Sequence, residues 1–80
     1  ILHGFPTSSF EWQRTIDELK AAKHFHRIIV FDHIGFGFSS KPRSGNTFTY
    51  SLQDHGDAAL VLFQQLRVSG TVHFVCHDIG

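Results

Sequence analysis

Short apolar runs and stretches of helical periodicity alternate along the chain. Ile1-Leu2 reads as the end of a strand, broken by His3-Gly4-Phe5-Pro6. Ser8 followed by Glu11 has capping-box spacing, and Trp12, Ile16 and Leu19 then recur at i, i+4 and i+7. That spacing predicts an amphipathic helix running to about Lys23. Arg27 to Phe31 contains Ile28-Ile29-Val30-Phe31, a continuous apolar run of the kind that forms a strand buried on both faces. A long loop from Asp32 to Thr49 follows, broken by Gly35, Gly37, Pro42 and Gly45. Ser51 with Asp54 sets a second capping box, and Leu52, Ala59, Leu62, Phe63 and Leu66 fill one helical face until Gly70. Thr71 to Cys76 is short and β-rich, a third strand.

The predicted order is strand–helix–strand–helix–strand. Right-handed crossovers would make the strands parallel, with the helices packed on the sheet, so the expected fold class is α/β. Ligands in such sheets bind beyond the carboxyl ends of the strands. The post-strand loops begin at His3, Asp32 and His77, which are also the places where the sequence becomes unusual.

Composition narrows the picture. The chain has 80 residues, 41% hydrophobic and 14% aromatic, the make-up of a globular core within at most one small domain. It contains no Met, begins inside an apolar run and stops in the turn-like stretch ending at Gly80. We therefore expect residues 1–80 to be a partial domain from a longer protein, with sheet edges and apolar faces left open. Seven basic and seven acidic residues cancel, and no basic stretch offers a surface for nucleic acid or anionic lipid. The longest apolar run, Ala58 to Phe63, is far shorter than the roughly 20 residues of a membrane span. Cys76 is the sole cysteine, so no internal disulfide forms, and it reads as a small, buried, inert residue. Seven histidines raise a metal question, but no carboxylate or thiol completes a ligand set, and surface or capping roles are expected for them. No cofactor is expected.

The last turn carries the chemistry. Cys76-His77-Asp78-Ile79-Gly80 has the form small–x–nucleophile–x–small directly after a predicted strand. A sharp strand-to-helix turn needs small flanks because the backbone passes close to its neighbours there. The central side chain is thereby exposed, and the following N–H, that of Ile79, points to where an oxyanion could form. The centre is Asp78 and not Ser. A carboxylate is ionised at neutral pH and needs no base to act as a nucleophile toward a strained or activated carbon.

Three blocks together resemble the α/β hydrolases, and specifically the branch with an aspartate nucleophile that includes epoxide hydrolases and haloalkane dehalogenases. His3-Gly4-Phe5-Pro6 is similar to the family's H-G-x-P loop. Asp32 to Ser39 with Pro42 is similar to its D-x-x-G-x-G-x-S-x-x-P loop, and Cys76 to Gly80 to its nucleophile elbow. The resemblance implies that Asp78 is the nucleophile and that the backbone N–H groups of Phe5 and Ile79 form the oxyanion hole. It implies loop-shaping roles for His3, Gly4 and Pro6, with a cis Phe5–Pro6 bond. Asp32, Gly35, Gly37 and Ser39 would fix the second loop, and Cys76, His77 and Gly80 would frame the elbow, His77 by packing. The general-base His, its acid partner and a lid with proton-donating tyrosines would lie beyond residue 80.

Departures from the branch bear on the substrate. Haloalkane dehalogenases hold the halide with an Asn in the H-G-x-P loop and a Trp after the nucleophile, where this chain has Phe5 and Ile79. Neither has a side-chain donor. The expectation is therefore an epoxide-hydrolase-like hydrolase acting on a small apolar electrophile through an ester on Asp78. Haloalkane dehalogenase is one alternative, and a non-catalytic binding or scaffold domain of the same fold is another. An esterase would need Ser at position 78. His77-Asp78-Ile79-Gly80 also matches the H-D-I-G signature of metal phosphohydrolases, but those carry it on a helix. Gly35-x-Gly37 lacks the third glycine of a dinucleotide loop. Phe36 and Phe38 are candidates to pack under a lid or line an apolar tunnel.

Overall fold

A computed structural model describes residues 1–80. Helical structure begins with a 3-10 turn, Ser9–Trp12, which runs into helix α1, Gln13–Ala22. Ser8 opens it in an extended conformation, its hydroxyl accepting from the Phe10 N–H at 3.4 Å. The predicted face is the one buried: Ile16 is 8% exposed, with Trp12 and Leu19 half-buried beside it. Lys23 closes α1 in the left-handed region at φ 55°.

Helix α2 spans Leu52–Gln65. Ser51 caps it by accepting the Asp54 N–H at 3.1 Å. The box is half made, because Asp54 Oδ2 accepts from the N–H and hydroxyl of Thr49, each at 2.6 Å. Ala59 is buried and Leu62, Phe63 and Leu66 are half-buried, but Leu52, expected on the same face, is exposed at the helix entrance. The helix also stops before Gly70. Arg67 takes the left-handed position at φ 55°, with its N–H on Gln64 O and the Val68 N–H on Phe63 O, a Schellman closure. Arg27 Nη1 donates to the Leu66 carbonyl at 2.7 Å, satisfying an acceptor the helix end leaves over.

The sheet departs from expectation. Ile1-Leu2 lies between the other two extended runs: Ile1 N donates to Ile29 O at 2.8 Å, and the Leu2 N–H donates to Val75 O at 2.9 Å. Pairing ends there, in a single parallel bridge between Leu2 and Cys76, and no three-stranded ladder forms. Ile28 on one side and Val72 to Phe74 on the other make no strand pairing with Ile1-Leu2.

Burial follows the same limit. Ile28, Ile29 and Val30 are half-buried, where burial on both faces was expected, and Val72, Phe74 and Val75 are exposed. Cys76 is exposed too, which corrects its reading as a buried residue. Only five of the 80 residues are buried, and the two helices do not touch. An open groove of about 450 Å³ runs among Leu19, Phe25, Ile28, Phe63, Val72 and Phe74. Neither helix is long and apolar enough to cross a membrane.

Candidate functional site

The one bridge is what assembles the site. Leu2 accepts the His77 N–H at 3.3 Å, and this pairing sets residues 3–7 against the turn 76–80. The Phe5–Pro6 bond in the first of these segments is cis. Contact between the two is close enough to demand glycine twice. A Cβ on Gly4 would fall 2.5 Å from Asp78 Cβ, and one on Gly80 would fall 2.8 Å from the Leu2 carbonyl carbon. The small flank predicted at position 80 thus has a steric cause in the backbone that crosses it.

Asp78 sits at φ 59°, in the left-handed region where Asp is one of the few side-chain-bearing residues tolerated. Its Oδ1 accepts the Phe5 N–H at 3.1 Å. The hydrogen bond from Phe5, then one from the Ile79 N–H, hold its pKa below the usual aspartate value; slight desolvation opposes them and His77 adds a minor favourable contribution. Of the two amides named from the sequence, that of Phe5 donates to this carboxylate, and that of Ile79 lies beside it in the chain and favours its charged form. One oxygen is tied by the backbone, the group is kept ionised, and the second oxygen is available for bonding outward.

His3 anchors the loop from within. It is fully buried, and its Nε2 accepts the His33 N–H at 3.0 Å. An accepting Nε2 carries no proton, so the proton is on Nδ1, which donates to Gly4 O at 2.9 Å. His33 returns the contact through Nε2, 3.2 Å from His3 O. Sequence reasoning gave His33 a surface or capping role, but it is 6% exposed, ringed by His3, Phe31, Phe36 and His55. Burial first, then the neighbouring His3 and His55, depress its pKa below the ordinary histidine value.

The second loop is organised around Asp32. Its Oδ1 accepts the Ser9 N–H at 2.7 Å and its Oδ2 the Phe38 N–H at 2.9 Å. Burial works against its charge, but those hydrogen bonds outweigh it and lower its pKa. A side chain on Gly37 would collide with this carboxylate, and one on Gly35, at φ 92°, with the Tyr50 ring. Ser39 Oγ donates to Asp32 O, and the Tyr50 hydroxyl to Pro42 O. Phe36 packs edge-on against His3 and Phe5, with ring centres 5.3 and 6.1 Å away, while Phe38 is fully exposed.

Two further residues differ from their sequence reading. Glu11, expected to close a capping box, turns back instead: Oε1 accepts the Gly4 N–H at 3.1 Å and Oε2 the Thr7 hydroxyl at 2.8 Å. The only signal for this was the Thr7–Glu11 spacing. His77 was expected to pack; its side chain is largely exposed, with Nδ1 3.8 Å from Glu11 Oε1. No three His, Cys, Asp or Glu side chains gather in metal-binding geometry. The large groove does not include Asp78.

Known proteins match the sequence along the whole chain. The mesoderm-specific transcript homolog protein of Bos taurus is 38% identical over 81 residues, covering all of this chain and 23% of that relative. The human protein of that name is 37% identical with the same coverage. The cis-3-alkyl-4-alkyloxetan-2-one decarboxylase of Shewanella oneidensis is 35% identical over 80 residues, again all of this chain and 24% of the relative. The chain thus spans about a quarter of the length of the curated relatives it matches. The wording of Leu2 to Ser9 and Gly35 to Ser39 resembles the mesoderm-specific transcript proteins, in line with those matches. No solved structure matches the chain significantly. A family model for the alpha/beta hydrolase fold matches residues 1–80 without a break, and the chain belongs to that family.

Proposed function

We infer that this chain carries the nucleophile of a hydrolase that opens strained or activated carbon electrophiles, an epoxide above all. The observation supporting this is the Phe5 N–H on Asp78 Oδ1 at 3.1 Å. In an acyl-transfer enzyme those amides must receive the substrate's carbonyl oxygen. Here the aspartate's own oxygen occupies them, which suits a reaction whose tetrahedral centre forms at the aspartate carbon.

In the proposed sequence Asp78 Oδ2 attacks a ring carbon of the epoxide. The C–O bond breaks, and its electron pair goes to the ring oxygen, which takes a proton from an acid supplied elsewhere in the protein. The product of this step is an alkyl ester whose carbonyl oxygen is Oδ1. Water, deprotonated by a base also supplied elsewhere, adds to the ester carbon. Negative charge then develops on Oδ1, against the Phe5 and Ile79 amides. Collapse expels the alkyl oxygen, which takes the proton held by the base to complete the diol, and the proton left on the aspartate returns to the acid as the carboxylate is restored.

Exposed Phe5 and Ile79 flank Asp78 and bring no polar side chain to a leaving halide, which favours an apolar oxygen electrophile over a haloalkane. An oxetan-2-one, named for the Shewanella relative, is likewise a strained cyclic C–O electrophile and supports the same class. Single-turnover reaction of the full-length protein with styrene oxide in ¹⁸O-water tests the reading. Label should enter Asp78 before it enters product, and Asp78→Ala should lose all turnover. Full activity in Asp78→Ala would overturn it.

A further inference from the structure

Two consecutive amides of the first loop serve two different carboxylates. The Gly4 N–H goes to Glu11 Oε1 and the Phe5 N–H to Asp78 Oδ1, both at 3.1 Å. Glu11 grips the loop a second time through Thr7, whose hydroxyl lies 2.8 Å from Oε2 and 3.0 Å from Gly4 O. It also reaches the opposing turn, with His77 Nδ1 at 3.8 Å. We propose that Glu11 is a positioning residue of the site: it fixes the plane of the Gly4–Phe5 amides and ties that loop to the turn that presents Asp78. The proposal rests on the reading of Asp78 as nucleophile.

The direction of the effect is diagnostic. Through space, the negative charge of Glu11 would disfavour an oxyanion on Asp78, so its removal would speed ester hydrolysis. Through positioning, its removal loosens the Phe5 donor and slows that step. The Phe5 donor matters most when charge appears on Oδ1, in ester hydrolysis, and less in ester formation. A merely destabilised protein would lose both steps in proportion to its folded fraction.

The test uses the full-length protein with styrene oxide, following the Asp78 ester by intact mass in single turnover. It pairs these rates with the Phe5 amide resonance in ¹⁵N-labelled protein. Glu11→Gln keeps an acceptor for Gly4 and serves as the near-isosteric variant; Glu11→Ala removes it. Loss of a hydrogen bond to a charged group corresponds to about 10- to 100-fold. Ester decay should fall by that much in Glu11→Ala and by less in Glu11→Gln, ester formation should change little, and the Phe5 resonance should move in both. Faster decay, equal loss of both steps, or an unmoved Phe5 resonance overturns the proposal. Absence of any Asp78 ester in the parent overturns the nucleophile reading instead, and the Phe5 resonance then reports the coupling to Glu11 on its own.

Discussion

Replacing Gly4 by alanine drives a wedge between the two segments that form the site. The added Cβ would lie 2.5 Å from Asp78 Cβ and 2.9 Å from His77 O, both close to the backbone and unable to swing aside. Carbon atoms relax to about 3.5–4.0 Å, so the loops must part by about 1 Å. The Phe5–Asp78 hydrogen bond begins at 3.1 Å, and the same displacement carries it to about 4 Å, outside hydrogen-bonding range. Removal of one such donor lowers turnover by about 100- to 1000-fold where charge develops against it. Overpacking of this kind adds about 1–3 kcal/mol of destabilisation. The assay is single-turnover decay of the Asp78 ester in full-length Gly4→Ala, with chemical denaturation to confirm that it is folded. Gly45→Ala, whose nearest neighbour would be 4.0 Å away, is the matched control and should behave as the parent. Unchanged ester decay in folded Gly4→Ala would refute the argument that these two loops are held at contact distance.

Other perturbations test the supports of the site in the full-length protein. Gly56 lies inside α2 with open space around it, so Gly56→Ala should stabilise by about 0.5–1 kcal/mol, read as a higher denaturation midpoint; a lower midpoint contradicts the helix. Asp32→Asn turns an amide N–H toward either Ser9 N or Phe38 N, and should cost about 1–3 kcal/mol in urea unfolding; a neutral result would show that the second loop is held by something else. The pKa of His33 is lowered on folding, so its contribution to stability is present above about pH 6.5 and is lost as pH falls through the folded value. His3, His55 and Asp32 face it, and the burial-lowered pKa of His55 acts in the same direction. The denaturation midpoint should therefore drop on acidification below about pH 6.5, with a shallower slope in His33→Gln, and an unaltered slope would count against this.

Local order was written in the chain. Ser8 and Ser51 open helical structure, and Ile16 and Ala59 mark buried faces, because caps and periodicity act within a few residues. Gly35 and Gly37 were legible as loop breakers because a positive φ is a demand of the turn itself, whereas the small residue at position 80 answers to the Leu2 backbone that crosses it. Long-range choices were not. Glu11 has the spacing of a capping partner for Ser8, but the Gly4 amide and the Thr7 hydroxyl are satisfied only if its carboxylate turns the other way. His33 looks like a surface histidine until His3 offers it both an acceptor and a carbonyl. Cys76 and Val72 to Val75 have strand composition, yet burial depends on which segments pack against them, and only Leu2 pairs with this run. The sequence by itself named the turn, the aspartate and the two amides. Tertiary structure decided that the Phe5 amide meets that aspartate, because a single backbone pairing between Leu2 and residues 75–77 sets the distance between segments more than seventy residues apart.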